Sequence, residues 1–111
     1  MKPTIAQIIA AVAEEFQVLP ADITGPSRLM VHSLPRHVAA AIAHDLGYSF
    51  PQIAPRLGRE WTTVRDAAKR PEIIAAKNEG FASRYNDLRG RFVVKLLKYQ
   101  DWKFKSIRAS K

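Results

Sequence analysis

Residues 49–64 read SFPQIAPRLGREWTTV, and the fold of the chain turns on them. Ser49 is placed to cap a helix. Pro51 falls in its first turn, where a missing N–H has no intrahelical acceptor, and Gln52 stands at the third helical position. Ile53 and Leu57 share one face, and Gly58 ends the helix. A second helix opens near Glu60 and runs to about Lys69. Two short helices joined by a glycine turn predict a helix-turn-helix over about 49–69.

In that motif the second helix lies in the major groove of DNA and its first residues meet base edges. The residue types suit the task. Thr62 and Thr63 each carry a hydroxyl for a base edge or phosphate and a methyl for the thymine methyl. Arg59 stands just ahead of a helix N-terminus, a place that attracts phosphate. Arg65 comes one turn after Thr62, on or near the same face. Trp61 reads two ways, as a base contact or as core.

Working outward, Thr4 and Gln7 have the spacing of a capping box, and Ile5, Ile8, Ile9, Val12 and Phe16 give an amphipathic helix over about 5–17. Pro20, Asp22, Gly25 and Pro26 mark a loop with one helical turn at Ala21–Ile23. Ser33 is the expected cap of the next helix, with Pro35 in its first turn, a Val38, Ala41, Ile42 and Leu46 stripe, and Gly47 at its end. Pro71 is expected to interrupt the helical pattern and to bias Arg70 away from helix. From Glu72 to about Gln100 a long helix is predicted by Phe81, Tyr85, Leu88, Phe92, Leu96 and Tyr99, with a bend or break near Gly80 or Gly90, each weaker than Ala by about 1 kcal/mol. No strand-like alternation occurs. The fold class is all-α: a helical bundle holding a helix-turn-helix, followed by a long C-terminal helix. Residues 1–100 are expected to form one domain, and 101–111 a basic, flexible tail.

With 111 residues the chain fits one domain, and 47 % hydrophobic content is ordinary for a globular one. The formal charge is +8, gathered late: residues 28–70 hold seven basic against three acidic groups, and 71–111 ten against four. Basic charge gathered in one part of a domain is the mark of a polyanion binder. There is no cysteine, hence no disulfide framework or thiolate metal site. No apolar run approaches the roughly 20 residues of a membrane span. Glu14 and Glu15 stand where a signal peptide would be cleaved, so a cytoplasmic protein is expected.

Taken in this order, the segments resemble the C-terminal DNA-binding domain of the bacterial chromosomal replication initiator DnaA. TIAQIIAAVAEEF, ADITGPSR, LPRHVAAAIAHDL, SFPQIAPRLGREWTTVRDAAK and the 72–100 helix follow the family's sequence of elements over most of the chain. The most specific piece is GREWTTV, supported by the Pro-Arg pair opening the preceding helix. The resemblance implies that Arg28 is a minor-groove arginine, that Arg36 contacts phosphate with His37 beside it, and that Glu60, Trp61, Thr62 and Thr63 read bases. Two departures stand out. The family's loop is rich in Arg and Lys, whereas GPSRLMVHS keeps only Arg28, which implies fewer released counterions and a shallower salt dependence. The family's His is Trp61 here, and one indole N–H cannot repeat an imidazole's contacts; the family's consensus DNA box is not carried over.

Other chemistry is disfavoured. His37 and His44 lie two helical turns apart, too far to share an ion, and no Cys or carboxylate set completes a metal site. Glu14 and Glu15 point to different faces, and no Ser–His–Asp order has motif support. No G-x-x-x-x-G-K-[ST] phosphate loop occurs, so the expectation is a DNA-reading domain without catalytic residues, metal, cofactor or ATP motor, a small paralogue or phage-borne relative. The basic segment LRGRFVVKLLKYQDWKFK has an amphipathic pattern that also suits a membrane surface or partner helix, though plain solvation is the commoner fate.

The expected function is sequence-specific binding of double-stranded DNA, regulating replication initiation or transcription, alone or with replication or transcription proteins. Dimerisation through the C-terminal helix is open, since its spacing serves a seam as well as a bundle face. The alternative is a protein–protein interaction module on the same fold, in which Leu29, Met30 and Val31 make an apolar contact surface and the protein modulates the replication machinery without reading DNA.

Overall fold

The computed structural model describes residues 2–92, and all the regular structure there is helical. Helix α1 spans Ile5–Phe16, α2 Pro20–Thr24, α3 Met30–Asp45, α4 Phe50–Leu57, α5 Trp61–Ala67 and α6 Arg70–Ala75. A further helix, α7, runs from 79 to the last described residue, 92.

Two capping boxes form as the sequence predicts. The Thr4 hydroxyl accepts from the Gln7 amide at 3.1 Å and Gln7 Oε1 accepts from the Thr4 amide at 2.9 Å. Ser49 and Gln52 repeat the exchange at 3.3 and 2.8 Å and open α4. Each pair satisfies two N–H groups that a bare helix start leaves without partners.

Helix α3 is the axis of the bundle and packs against α1, α2, α4, α5 and α6. Its buried face is Val38–Ala43, four alanines with Val38 and Ile42. Small side chains let several helices approach one thin rod. Ile8 and Val12 from α1, Ile23 from α2, Ile53 and Leu57 from α4, Val64 from α5 and Leu88 from α7 close the core around it. Burying each such side chain contributes roughly 1.5–3 kcal/mol.

Three expectations require correction. Helix α3 begins at Met30, capped by Leu29, so Ser33 is an interior residue and Pro35 stands inside the helix. The helix tolerates it because the carbonyl left without an N–H belongs to Val31, which is exposed and open to water. Arg70 is the first residue of α6, with Pro71 behind it in the first turn, so the proline starts a helix instead of interrupting one. The long helix from Glu72 is divided at residues 76–78, ahead of both glycines. Asn78 makes the new start: its Oδ1 accepts from the Phe81 amide at 3.0 Å, and Gly80 and Gly90 are helical.

Phe81, Tyr85, Leu88 and Phe92 are buried against the rest of this chain, so these four belong to the bundle face. Asp45, at the end of α3, holds α7 by an ion pair with Arg89, 2.7 Å from Oδ2 to Nε, although the N–H is not aligned for a hydrogen bond. Leu96, Tyr99, the basic tail and most of the amphipathic segment, with the proposed dimer seam beyond Phe92, lie outside the described residues. No described helix is long and apolar enough to cross a membrane.

Candidate nucleic-acid interface

The sequence builds the interface from a turn. Gly58 takes φ +64°, a left-handed conformation that ends α4, and its N–H returns to the last carbonyls of that helix. Glu60 is extended at the cap of α5, and Val64 and Ala67 turn inward. The opposite face of α5 carries Thr62, Arg65 and Asp66 by helical spacing. Trp61, the first helical residue, is 49 % exposed. That decides between its two readings: the indole is a surface group. Arg65 lies over it, its guanidinium carbon 5.5 Å from the ring centroid. Glu60 and Thr63 are exposed and Thr62 is half-buried.

Beside this turn runs the loop 25–29 between α2 and α3. Ser27 organises its far side: the hydroxyl is 2.7 Å from His32 Nδ1 and accepts from the Leu29 amide at 3.3 Å, while His32 Nε2 lies 3.6 Å from Asp22 Oδ2. Arg28 is exposed at the loop's outer edge. Leu29, Met30 and Val31 follow it at 64, 71 and 63 % exposure.

The remaining arginines divide differently from their sequence reading. Arg36 is only 6 % exposed. Its Nε donates to the Ile23 carbonyl at 2.6 Å, and Nη2 reaches the carbonyls of Asp22, Gly25 and Ser27 at 3.0–3.2 Å. Asp22 and Ile23 offer acceptors left over at the C-terminal end of α2, and Gly25 and Ser27 offer those of the loop beyond it. The side chain expected on phosphate is therefore spent inside the domain. Burial, and then the charge of Arg59, lower its pKa from the usual arginine value. Arg59 is half-buried as well. Its Nη1 donates to the Leu57 and Gly58 carbonyls at 3.2 and 3.1 Å, and its Nη2 to the Gly25 carbonyl at 2.8 Å.

His37 is half-buried and carries no charge at neutral pH. Burial, with Arg70 and Arg36 nearby, pushes its pKa down to about 4. It adds nothing electrostatic to a phosphate contact. His44 stacks on Phe50 with centroids 4.2 Å apart. Among the described residues no three metal-binding side chains come together.

Three exposed cations of this region had escaped the sequence reading: Arg56 in the last turn of α4, Lys69 after α5 and Arg70 at the head of α6. A signal existed in the Lys69-Arg70 pair. Without the break between α5 and α6 it reads as the tail of one helix.

Residues 5–70 match the family model described as the bacterial DnaA protein helix-turn-helix. Chromosomal replication initiator proteins DnaA are similar over much of the chain. That of Cereibacter sphaeroides (strain ATCC 17029) is 34 % identical over 90 residues, 79 % of this chain and 20 % of the relative. That of Ruegeria sp. (strain TM1040) is 37 % identical over 75 residues, 66 % of this chain and 16 % of the relative. The chain thus spans about a fifth or less of the length of these relatives.

Proposed function

Because the chain belongs to the bacterial DnaA helix-turn-helix family, we propose that it binds double-stranded DNA in the manner of a replication initiator's DNA-reading domain, with sequence specificity, and regulates replication initiation or transcription. Helix α5 enters the major groove with Glu60, Trp61, Thr62, Thr63 and Arg65 toward the bases and backbone. Arg28 reaches the adjacent minor groove. The observation that carries this reading is the outward presentation of Trp61 and Thr63 at the head of α5, together with an exposed Arg28. A structural α5 would bury its largest side chain. This one buries Val64 and Ala67 and leaves the indole in solvent. Arg56, Lys69 and Arg70 add positive charge around α5 that suits phosphate.

The test is selection of bound sequences from a random duplex pool, followed by affinity measurements at two salt concentrations on the selected duplex. The expected result is a motif, a salt-dependent affinity, and a loss of about tenfold for Thr62→Ala, within the roughly 1–3 kcal/mol of a good base contact. An affinity insensitive both to salt and to Thr62→Ala overturns the reading.

A second reading has its own observation. Leu29, Met30 and Val31 are exposed together, and Met30 and Val31 line an apolar groove with Phe16, Leu34, Pro35 and Phe81. On this reading the family fold serves as a protein interaction module of the replication machinery. A partner retained after nuclease treatment and at high salt, and lost in Met30→Asp, supports it over the first.

A further inference from the structure

The loop that carries Arg28 and the turn that carries α5 are 30 residues apart in the chain, yet they share acceptors. The Gly25 carbonyl accepts from two guanidinium groups, Arg59 at 2.8 Å and Arg36 at 3.2 Å. Arg59 reaches it while holding the last carbonyls of α4 with its other nitrogen. A single guanidinium thus joins the end of the first helix of the motif to the loop. Arg36, from α3, gathers the carbonyls on both sides of the same point, from Asp22 to Ser27.

One glycine allows the approach. A Cβ on Gly58 would stand 3.0 Å from the Thr24 carbonyl oxygen at the end of α2, so the turn meets that backbone where a side chain would need displacement. Two carbonyls of the loop, Gly25 and Ser27, are held inward together with Asp22 and Ile23 of α2, and Arg28, the next residue after Ser27, is left outside.

We infer that Arg59 and Arg36 are positioning residues: they fasten the Arg28 loop to the helix-turn-helix, so that minor-groove and major-groove elements meet the duplex as one preformed surface. The inference rests on the duplex-binding reading above and adds to it. Ordering a loop's backbone costs conformational entropy, and a loop fixed on folding does not incur that cost again on binding. Arginine is suited to the task because its planar fork presents five donors in fixed directions, whereas a lysine ammonium at one point cannot span carbonyls from two elements. Arg59 is accordingly a brace behind the interface, although its place ahead of α5 gives it the look of a phosphate contact.

The test is a double-mutant cycle of Arg28→Ala with Arg59→Met and with Arg59→Lys, read by affinity for the selected duplex and by amide hydrogen exchange in the free protein. Arg28→Ala is expected to weaken binding about tenfold in the otherwise unaltered protein and less than twofold beside either Arg59 substitution, because an unfastened loop no longer delivers Arg28. Exchange at residues 27–30 is expected to accelerate at least tenfold in both Arg59 variants, with protection at Ile8 and Ile42 retained. Equal Arg28→Ala penalties in every background overturn the inference. So does full recovery of affinity by Arg59→Lys, the behaviour of a phosphate contact. If no variant binds any duplex, the functional reading fails instead, and the exchange rates alone decide the brace: unchanged rates at 27–30 overturn it and accelerated rates support it. Should Arg59→Met lose core protection, Arg59→Lys carries the cycle.

Discussion

The guanidinium of Arg65 lies over the indole of Trp61, 5.5 Å from its centroid, and both side chains are at the surface of α5. An exposed cation–π contact contributes about 0.5–1 kcal/mol, enough to bias the ring's orientation and too little to matter for folding. Trp61→Ala is therefore expected to lower unfolding stability by only about 1 kcal/mol, measured by denaturant titration. The same substitution is expected to weaken duplex binding about tenfold. A loss of stability above about 2 kcal/mol would mean that the indole serves the core after all.

The chemistry at position 61 also bears on which duplex is read. An indole offers one N–H donor and a flat apolar face, whereas an imidazole offers both a donor and an acceptor. Trp61→His should therefore shift the motif recovered from a random duplex pool at the one or two base pairs that face the start of α5. An unchanged motif would show that position 61 packs on the sugar-phosphate backbone and reads nothing.

Arg28 is the single cation of its loop segment, exposed and unused by the fold's hydrogen bonds among the described residues. Each phosphate neutralised adds about 0.9 to the slope of log affinity against log salt. Arg28→Ala is expected to lower that slope by roughly one and to leave the melting temperature nearly unaltered. A slope equal to that of the unaltered protein removes Arg28 from the interface.

Local rules were legible where they act on neighbours in sequence. The boxes at Thr4–Gln7 and Ser49–Gln52, the glycine stop at Gly58 and the start of α5 all depend on residues within four positions of each other. The partners of Arg36, 9 to 14 positions away, and the Gly25 carbonyl that Arg59 reaches, 34 positions away, are backbone acceptors, which no residue type announces. The break was expected near Gly80 or Gly90 and falls at 76–78, two residues before Gly80. Glycine marks weak helix, but here Asn78 starts a new helix by capping it, and asparagine inside an apolar pattern looks like an ordinary solvated position.

His37 gives the domain a pH dependence with a definite sign. Its folded-state pKa is lowered to about 4, by burial first and then by Arg70 and Arg36, against about 6.5 in the unfolded chain. Between these values the unfolded state binds a proton that the folded state refuses. The contribution of neutral His37 is complete above pH 6.5 and is lost as pH falls toward 4. Allowing for its partial exposure, the loss is on the order of 1–2 kcal/mol. His37→Gln, neutral throughout, should flatten the fall in unfolding free energy between pH 6.5 and 4 by that amount. Parallel curves for the two proteins would show that His37 titrates as a solvated histidine.

The turn itself supplies the strictest steric test. Gly58 sits at φ +64°, where a residue with a Cβ is strained, and that Cβ would also meet the Thr24 carbonyl oxygen at 3.0 Å. The two penalties can be separated. Asparagine tolerates the left-handed region better than alanine does, but both bring the same Cβ toward Thr24. Gly58→Ala is expected to destabilise the fold by about 1–3 kcal/mol, and Gly58→Asn by less, without returning to the glycine value. The difference left between Asn and Gly measures the close approach of the turn to the end of α2, just ahead of the Arg28 loop. Since that approach helps set where α5 stands, both variants should bind duplex more weakly even at temperatures where they are fully folded. Unimpaired binding by a folded Gly58→Ala protein would show that the turn and the end of α2 need not approach so closely for the interface to form.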